Sequence, residues 1–596
     1  MLQRESNPLT YLFGMAWRYS FGDRKKVVLF WLMFAVSTSV HLFGQPLLWA
    51  EVMNVIQARG INQESFGTLL TLLALSVGIE IVFWLLHGPA RFLEETNAFR
   101  TRAKYRKHLL QGVLTLPLEW HTDHHSGDTI DKIEKGTSGL YRFSQQTFQI
   151  IYGVVHLFGS YAILTYFSPP AGLIVGVMIV VAGWITVHFD KILVAQYICI
   201  NRSENEVSES VFDAISNIST IIILRVERLL FSSIVRKIDA PYELVRKNTI
   251  ANEWKWYLTN MSCALMTVIV LGVYFFQHLG TEKGVLVGSV YLLIQYLNRV
   301  SEQFYQFTMM YGDMLQRKSR VMNAEELAKD FRKESLSNHV LPSTWQRIAI
   351  SDLRFSYDTE RGTHLTDVSL SIRRGGKIAF VGETGSGKTT LLKVMRDLYH
   401  PQNLSLSVDG SQVPHGFNGI SRAIALIPQN PEIFATTIFE NITLGTEHDE
   451  AFVRHFTDMA CFTEVADSLP HGFNSSIKEK GVDLSGGQQQ RLALSRGLLA
   501  CHDKDIVLLD EPTSSLDTAT EMQVYKNIFR EFDGKVIISS IHRLHLLPLF
   551  DRICVFDKGA IVASGTLGEL LASCPQFITL WKTVEEAKHP ELGSVC

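Results

Sequence analysis

The sequence predicts an all-α membrane domain, with six transmembrane helices and long cytoplasmic extensions, fused to an α/β domain. Three features support this fold class: six apolar segments in the first half, short β-forming runs with glycine turns in the second, and a Gly-x-x-x-x-Gly-Lys-Thr loop. A helix needs about 20 apolar residues to cross a bilayer, and strands alternating with helices indicate a largely parallel sheet. A glycine-rich loop between strand and helix is typical of phosphate binding, so the second domain is predicted to be a P-loop NTPase.

The amino terminus, residues 1–26, is predicted to be a cytoplasmic helix at the membrane interface. It lacks the basic start, short apolar core and cleavage site of a signal peptide, whereas residues 9–17 have an amphipathic pattern. The net charge of -3 and the lack of a dense Lys/Arg tract argue against nucleic acid as a partner. The seven scattered cysteines favour reduced thiols over disulfides or zinc.

Residues 27–325 are predicted to form the membrane domain. Its apolar segments are 27–52, 67–86, 148–167, 171–189, 256–276 and 284–312. Each is close to the length that spans a bilayer, although Arg299 and Glu302 interrupt the sixth. An even number of crossings returns the chain to its starting side.

The connections between these segments alternate in length. The long ones, 87–147 and 190–255, are strongly charged, and basic residues such as Arg24 and Arg100 adjoin the spans on that side. By the positive-inside rule this side is cytoplasmic, so both termini and the second domain are predicted to be cytoplasmic. We expect a multi-pass integral protein of a lipid bilayer, most simply a bacterial inner (plasma) membrane.

Much of the long connections reads as helical, with turns near residues 120–128 and 214–225. Helical extensions would place these turns some 25 Å beyond the membrane, where they can touch the following domain. The first turn contains His121, Asp123, His124 and His125. They lack the helical His spacing and the fourth ligand that zinc requires, so we expect a solvated turn rather than a metal site.

Ionisable residues within or near the spans are candidates for a translocation pathway. Such groups are costly in hydrocarbon unless they face a polar cavity or pair with each other, although those near span ends can extend to the interface. They are His41, Glu51, Glu80, His156, His188 and Asp190.

A charged segment, 326–345, is predicted to link the membrane domain to a second domain at 346–585, which a tail at 586–596 follows. Candidate strands in this domain are 347–350, 368–372, 378–381, 424–427, 506–509 and 536–539.

The phosphate loop follows the candidate strand 378–381. Its backbone N–H groups and the start of the next helix would surround phosphate oxygens, Lys388 would reach the β- and γ-phosphates, and the Thr389 hydroxyl would bind Mg²⁺. The loop and helix start consist of Gly382, Glu383, Thr384, Gly385, Ser386, Gly387, Lys388, Thr389 and Thr390. The alternative, a glycine-rich turn without a ligand, is disfavoured by the flanking strand and helix.

Two further patterns in this domain indicate nucleotide chemistry. Asp510 and Glu511 end a buried strand, where Asp510 can hold Mg²⁺ and Glu511 can orient and deprotonate an attacking water. The turn Ser485-Gly486-Gly487-Gln488 enters a helix and offers a second phosphate-binding surface. One nucleotide does not need two such surfaces from one domain, so we expect two domains that face each other across shared nucleotides.

These motifs occur in the order and spacing of an ABC transporter nucleotide-binding domain. With the six spans, the chain resembles an exporter-type half-transporter, which has ATP and Mg²⁺ as cofactors. The resemblance implies that Tyr357 stacks on adenine, Asp517 crosses the dimer seam and His542 contacts the γ-phosphate. It further implies that Gln429 lies near Mg²⁺ and the water. The implied catalytic residues are therefore Glu511, His542 and Gln429, and the implied Mg²⁺ ligands are Thr389, Gln429 and Asp510. The segment 478–481 resembles an exporter contact with the membrane domain.

The expected function is ATP-driven transport of an amphipathic or bulky substrate out of the cytoplasm or inner leaflet by alternating access. Both half-sites are intact in the one chain, which favours a homodimer over a heterodimer with another half-transporter. An importer built on the exporter fold, and an ATP-gated channel or regulator, remain alternatives. The sequence leaves the substrate open.

Overall fold

The computed structural model describes residues 7–124, 126–279, 285–331, 341–357, 364–429, 432–477 and 484–588. The chain folds as two compact units. The first comprises Met1–Leu116 with His124–Arg332, and the second comprises Pro117–Asp123 with Lys333–Cys596. The boundary at 332/333 falls within the segment predicted to be a linker.

The first unit is helical throughout its described part. Its helices are α1 (Pro8–Tyr19), α2 (Arg24–Arg59), α3 (Gln63–Leu114), α5 (Ser126–Ser144), α6 (Thr147–Phe167), α7 (Pro169–Ser216), α8 (Ile218–Leu224), α9 (Glu227–Asp239), α10 (Tyr242–Gln277) and α11 (Val287–Leu327). The short helix α4 (Leu118–Asp123) is grouped with the second unit. The long charged connections are therefore helical, as predicted, because α3 and α7 continue well beyond their apolar segments.

Five stretches of the described chain are long and apolar enough to cross a membrane, in α2, α3, α6, α7 and the region of α9 and α10. The sixth predicted span lies in α11, where Arg299 and Glu302 interrupt the apolar sequence. Its first residue, 284, lies outside the described part. The multi-pass helical membrane domain is confirmed, and the count of six stays a prediction.

The amino-terminal helix α1 begins as its sequence indicates. The side chain of Asn7 accepts a hydrogen bond from the Leu9 amide, and Pro8 occupies the first turn, both of which favour a helix start. Leu12 and Met15 are buried, whereas Trp17 is exposed. The helix is thus amphipathic, with its apolar face covered by other helices of the same unit.

The ionisable residues predicted within the spans have different environments. His41 pairs with Glu80 at 3.1 Å, and Asp190 pairs with Lys255 at 3.1 Å. His156 is 2% exposed. His188 stacks on Trp184, and Glu51 is exposed.

The second unit contains two sheets, one of four strands in the order β2-β1-β4-β5 and one of six in the order β10-β9-β3-β8-β7-β6. Their bounds are β1 (Arg347–Phe355), β2 (Leu365–Arg373), β3 (Lys377–Val381), β4 (Asn403–Val408), β5 (Ser411–Gln412), β6 (Ile424–Ile427), β7 (Ile506–Asp510), β8 (Val536–Ser540), β9 (Arg552–Asp557) and β10 (Ala560–Gly565). In the larger sheet all pairings are parallel except that of β10 with β9.

The expectation of one largely parallel sheet is wrong for β1 and β2, which pair antiparallel in the smaller sheet. The residues between them, 356–364, are too few for a parallel crossover, which needs about a dozen or more.

Neighbouring residues of the parallel strands alternate between two cores: Leu508 belongs to one apolar cluster and Leu509 to the other. Because both faces are covered, these strands read as continuous apolar runs.

Helices flank the larger sheet. They are α12 (Lys388–Met395), α13 (Ile438–Thr443), α14 (Glu450–Met459), α15 (Thr463–Ser468), α16 (Gly486–Ala500), α17 (Thr518–Glu531), α18 (Leu567–Ser573) and α19 (Pro575–Lys588). The phosphate loop, Gln429, Glu511 and His542 follow the carboxyl ends of the parallel strands β3, β6, β7 and β8, where α/β sheets place their ligands.

Candidate functional site

The phosphate loop connects β3 to α12, as the sequence predicts. Gly382 has φ +151°, and a Cβ at this position would lie 2.4 Å from the Phe556 carbonyl oxygen. Gly387 has φ +106° and a Cβ there would lie 2.9 Å from a methyl carbon of Leu365. Both positions therefore require glycine, which keeps the loop backbone tightly folded at the start of the helix.

Lys388 lies inside this loop and is 5% exposed. Its ammonium donates to the carbonyl oxygens of Gly382 at 2.7 Å and Glu383 at 3.0 Å. Burial lowers the pKa of Lys388 below its usual value. The nearby carboxylates of Glu511 and Asp510 act in the opposite direction and raise this pKa in part. A buried cation held by neutral carbonyls fits a loop that receives an anion.

Ser386 supplies a second sign of an anion site. Its hydroxyl is buried and has no hydrogen-bond partner among the described residues. Buried hydroxyls are normally satisfied, and a phosphate oxygen would satisfy this one. The loop residues therefore fit a nucleotide phosphate.

The residues predicted to hold Mg²⁺ lie at the same edge of the sheet. The Thr389 hydroxyl donates to Asp510 Oδ1 at 2.9 Å, and the Ser540 hydroxyl donates to the same oxygen at 2.8 Å. Asp510 is 3% exposed. A hydroxyl and a carboxylate from adjoining elements are oxygen ligands that suit Mg²⁺, which is commonly bound by few protein groups together with substrate phosphates.

The three predicted catalytic residues meet at the carboxylate of Glu511. The Gln429 amide nitrogen donates to Glu511 Oε2 at 2.7 Å, and His542 Nε2 lies 2.9 Å from Oε1. Glu511 has φ +47°, a strained backbone conformation for a residue with a side chain. Its amide donates to the Ser540 hydroxyl at 3.0 Å. Both carboxylate oxygens are therefore held in place beside a cavity of 360 Å³.

Tyr357, predicted to stack on adenine, is 44% exposed. Its ring lies edge-on to Phe355 and to Tyr399, with centroids 4.9 Å away in each case. Its hydroxyl donates to Thr390 Oγ1 at 3.4 Å, next to the phosphate loop. The remaining ring surface can therefore contact a base whose phosphates enter the loop.

The helix α4 adjoins this aromatic group within the second unit. Burial raises the pKa of Tyr399, as do the charges of Tyr357 and Glu119, while a hydrogen bond with Thr122 lowers it. Because Glu119 and Thr122 belong to α4, this helix lies beside the tyrosine that packs on Tyr357.

The Ser485–Gln488 turn begins α16 with reciprocal capping. The Gln488 amide donates to the Ser485 hydroxyl, and the Ser485 amide donates to Gln488 Oε1 at 2.9 Å. Ser485 is exposed, and in the described part of the chain no hydrogen bond joins this turn to the phosphate loop. The amides of Gly486 and Gly487, which the cap does not use, are thus available to a ligand outside the loop of its own chain. The Gly486 and Gly487 positions continue the same first turn.

Asp517 caps the amino terminus of α17. Its carboxylate accepts the amides of Ala519 at 3.1 Å and Thr520 at 2.9 Å. Hydrogen bonds from the Thr520 side chain and backbone lower the pKa of Asp517. The exporter-like segment 478–481 lies outside the described residues.

Sequence reasoning missed Ser540 and Glu521. Ser540 joins Asp510 to the Glu511 backbone, and Glu521 is 4% exposed beside the loops that carry the candidate catalytic residues. The Thr513 hydroxyl donates to Glu521 Oε1 at 2.7 Å, and the Arg543 guanidinium donates to Oε2 at 3.3 Å. The available signals were a serine at the end of a buried strand and a carboxylate in an otherwise apolar helix stripe.

Two family models match the chain. The model described as ABC transporter matches residues 365–514, and the model described as ABC transporter transmembrane region matches residues 28–301.

Similar proteins cover nearly the full length. The β-(1→2)glucan export ATP-binding/permease protein of Rhodopseudomonas palustris strain BisB5 is 28% identical, with 90% of each chain covered. The RTX-I toxin translocation ATP-binding protein of Actinobacillus pleuropneumoniae is 24% identical, covering 92% of this chain and 77% of its own. The mitochondrial iron–sulfur clusters transporter of Yarrowia lipolytica is 25% identical, with coverages of 92% and 78%.

A solved structure of a bacterial Atm1-family ABC exporter with ATP bound matches with a TM-score of 0.82 at 21% identity. The match covers 94% of this chain and 98% of that one. At this identity it supports the fold alone.

Proposed function

Because the chain belongs to the ABC transporter family, with its transmembrane region and ATP-binding domain fused, we propose that it is an exporter half-transporter that works as a homodimer. It is an ATP-driven, multi-pass membrane transporter. The proposal adds export as the direction, two identical chains as the unit, and a cytoplasmic location for the ATP-binding domain. A bacterial inner membrane and the domain bounds predicted above belong to the same proposal.

The observation that carries the proposal is the position of Glu511. Its carboxylate lies 2.7 Å from Gln429 and 2.9 Å from His542, at the edge of the sheet where the phosphate loop begins. A channel or regulator that only binds ATP would not need an intact base with two orienting partners. The arrangement therefore favours turnover of ATP.

Each residue has a proposed task in hydrolysis. The amides of 382–390 and Lys388 bind the phosphates, and Tyr357 supports the adenine. Thr389, Asp510 and Gln429 would hold Mg²⁺, which neutralises charge developing on the phosphate oxygens. Glu511 orients the attacking water and accepts its proton, while Gln429 and His542 keep the carboxylate directed at that water.

The second binding surface supports the dimer. Ser485, Gly486, Gly487 and Gln488 begin α16, where the cap leaves the Gly486 and Gly487 amides for a ligand, and Asp517 caps α17. A second copy can bring this turn to the nucleotide, so that ATP joins two domains and hydrolysis separates them. Alternating access of the spans would follow from this closure and opening.

The relatives support export. Those named above are described as exporting glucan, translocating a toxin and transporting iron–sulfur clusters. Their cargoes differ widely, so the shared fold does not select a substrate.

The test is ATP hydrolysis by this chain purified alone and placed in lipid nanodiscs. We expect Mg²⁺-dependent turnover that Glu511→Gln lowers by at least about 100-fold, because general-base catalysis typically contributes 10²–10⁴-fold. ATP binding should persist in the variant. Glu447→Gln, at an exposed carboxylate of the same domain, is the matched control and should be unchanged.

Activity that requires a second polypeptide would contradict the homodimer. Full activity of Glu511→Gln would contradict the mechanism. Direction is measured in vesicles with a known orientation, where uptake toward the ATP-binding side would replace export with import.

A further inference from the structure

We propose that the substrate is an uncharged amphipathic molecule, carrying hydroxyl or amide groups on an apolar body, that binds between α6 and α11 with Gln303 as its specificity-determining residue. This inference rests on the proposed function, because it assigns a ligand class to the transport pathway of that exporter.

The first observation is a cavity of 590 Å³ in the first unit, between α6 and α11. It is within the size range of pockets that hold small-molecule ligands. Its lining combines amide, aromatic and thioether side chains, principally Gln149, Tyr152, Gln303, Phe307, Met309 and Met310. Such a wall offers apolar contact together with paired donors and acceptors, because each glutamine amide can do both.

The second observation is the state of Gln303. This side chain is 0% exposed to solvent, yet neither its amide oxygen nor its nitrogen has a hydrogen-bond partner among the described residues. Gly153 lies against it: a Cβ there would be 3.2 Å from Gln303 Oε1 and 3.0 Å from the Phe307 ring. Leaving a buried amide unsatisfied is costly, and in a membrane segment surrounding lipid offers no substitute. A ligand hydroxyl or amide would satisfy both atoms once the side chain turns into the cavity that it adjoins.

The third observation concerns charge. Asp313 is the only ionisable carboxylate or cation among the described lining residues, and it forms an ion pair with Arg317. Arg317 also donates to the Gln146 amide oxygen at 2.7 Å. The charge at this end of the cavity is therefore neutralised within the protein.

A nearby guanidinium is neutralised in the same way. Arg91 lies 4.3 Å from the ring centroid of Phe148, which lines the cavity. It is paired with Glu94 and Glu95 of its own helix. A fixed charge on a ligand would find no uncommitted counter-ion among the described lining residues, and burying an unpaired charge is strongly unfavourable.

One carboxylate lies at the edge of the cavity. Glu302 is exposed and accepts a long hydrogen bond of 3.5 Å from Gln306, which is a lining residue. If this group dominated recognition, a cation would be preferred. The experiment therefore includes a cationic probe.

The test compares three probes with the same six-carbon chain: hexyl β-glucoside, hexyl sulfate and hexyltrimethylammonium, each below its micellar concentration. Two readouts are used with the full protein in nanodiscs, namely stimulation of ATP hydrolysis and equilibrium dialysis against empty nanodiscs. We expect saturable binding and stimulation with the glucoside only. Gln303→Leu should raise the half-saturating concentration about tenfold, as expected for loss of a buried hydrogen-bonding group.

Two further variants test the role of Gln303 itself. Gln303→Glu keeps the shape but adds a negative charge, so the ammonium probe should gain binding while the glucoside loses it. Thr267→Val is the control: among the described residues it removes only a hydroxyl bond to the Cys263 carbonyl within α10, and it should leave glucoside binding unchanged. If Gln303→Leu does not fold, the comparison of the three probes on the wild-type protein still tests the ligand class. Gln303→Asn then tests the role of the side chain.

Equal responses to all three probes, a preference for a charged probe, or no binding of any probe would overturn the proposal. So would an unchanged half-saturating concentration in Gln303→Leu. Because dialysis does not depend on turnover, the loss of basal ATP hydrolysis would count against the proposed function and not against this ligand class.

Discussion

At the scale of single residues, Glu521 joins two loops that the proposed chemistry uses, the one between β7 and α17 and the one after β8. It lies on α17, which Asp517 begins, and it binds Thr513 after β7 and Arg543 after β8. Arg543 in turn donates to the Leu516 carbonyl at 2.6 Å. One buried carboxylate therefore fixes the segments that carry Glu511, Asp517 and His542 without reaching the reacting atoms itself.

We expect Glu521→Gln to lower kcat about tenfold and to leave the KM for ATP within about twofold, because it misplaces catalytic groups but leaves the phosphate loop intact. Arg543→Lys should have a similar effect, since lysine keeps the charge but loses the planar fork. Glu521→Asp should recover part of the rate. ATP-hydrolysis kinetics measure this, with Lys526→Gln on the exposed face of the same helix as the control. A raised KM with normal kcat would contradict the positioning role.

The proposed adenine contact has the opposite kinetic signature. We expect Tyr357→Ala to raise the KM for ATP about five- to tenfold, the range expected when an aromatic contact is removed, with little change in kcat. Tyr357→Phe retains the ring and should behave as the wild type. Equal losses in both variants would place the contribution in the hydroxyl and its bond to Thr390.

At the scale of elements, sequence patterns predicted most of the fold because each depends on local periodicity. The apolar segments, the long helical connections and the strands that end at Val381, Ile427, Asp510 and Ser540 were all readable in this way. A local pattern does not show which strands pair with each other, and β1 and β2 pair antiparallel in a separate sheet. For the same reason the phosphate loop and the Asp510-Glu511 pair were predictable, whereas the bridge from Glu521 to Arg543 was not.

Close helix packing in the first unit depends on a glycine. A Cβ on Gly136 of α5 would lie 2.4 Å from the Ala324 Cβ of α11 and 3.2 Å from the Arg320 carbonyl oxygen. We expect Gly136→Ala to destabilise the protein by about 1–3 kcal/mol through overpacking, seen as a lower unfolding temperature by intrinsic fluorescence.

The matched control for that change is Gly78→Ala in α3, where a Cβ would meet nothing within 4 Å. There the better helix propensity of alanine should leave stability unchanged or raise it by up to about 1 kcal/mol. If both variants unfold at the same temperature, the contact between α5 and α11 is looser than described.

At the scale of the whole molecule, the proposed nucleotide site is complete only with two copies. Thr384 of the phosphate loop and Gly486 of the α16 turn are therefore expected to approach each other between chains when ATP is bound. A cysteine fits at Gly486, since a Cβ there would meet nothing within 4 Å.

We expect Thr384→Cys with Gly486→Cys, in a Glu511→Gln background, to form an oxidised dimer band with ATP and not with ADP. Cys199, which is exposed, and the terminal Cys596 are replaced by serine to prevent competing disulfides. Each single-cysteine variant is the control and should give no band. A dimer band that ignores nucleotide, or an intramolecular bond only, would contradict the shared site.

The length of α3 has a mechanical consequence. Its 52 residues form a rod of about 78 Å at 1.5 Å per residue. A tilt of about 5° at one end would move the other end by about 7 Å, more than the pitch of one helical turn. Such leverage lets a displacement of atomic size at one end open a passage of molecular size at the other. It requires that the helix stays straight at Pro89, which lies within it.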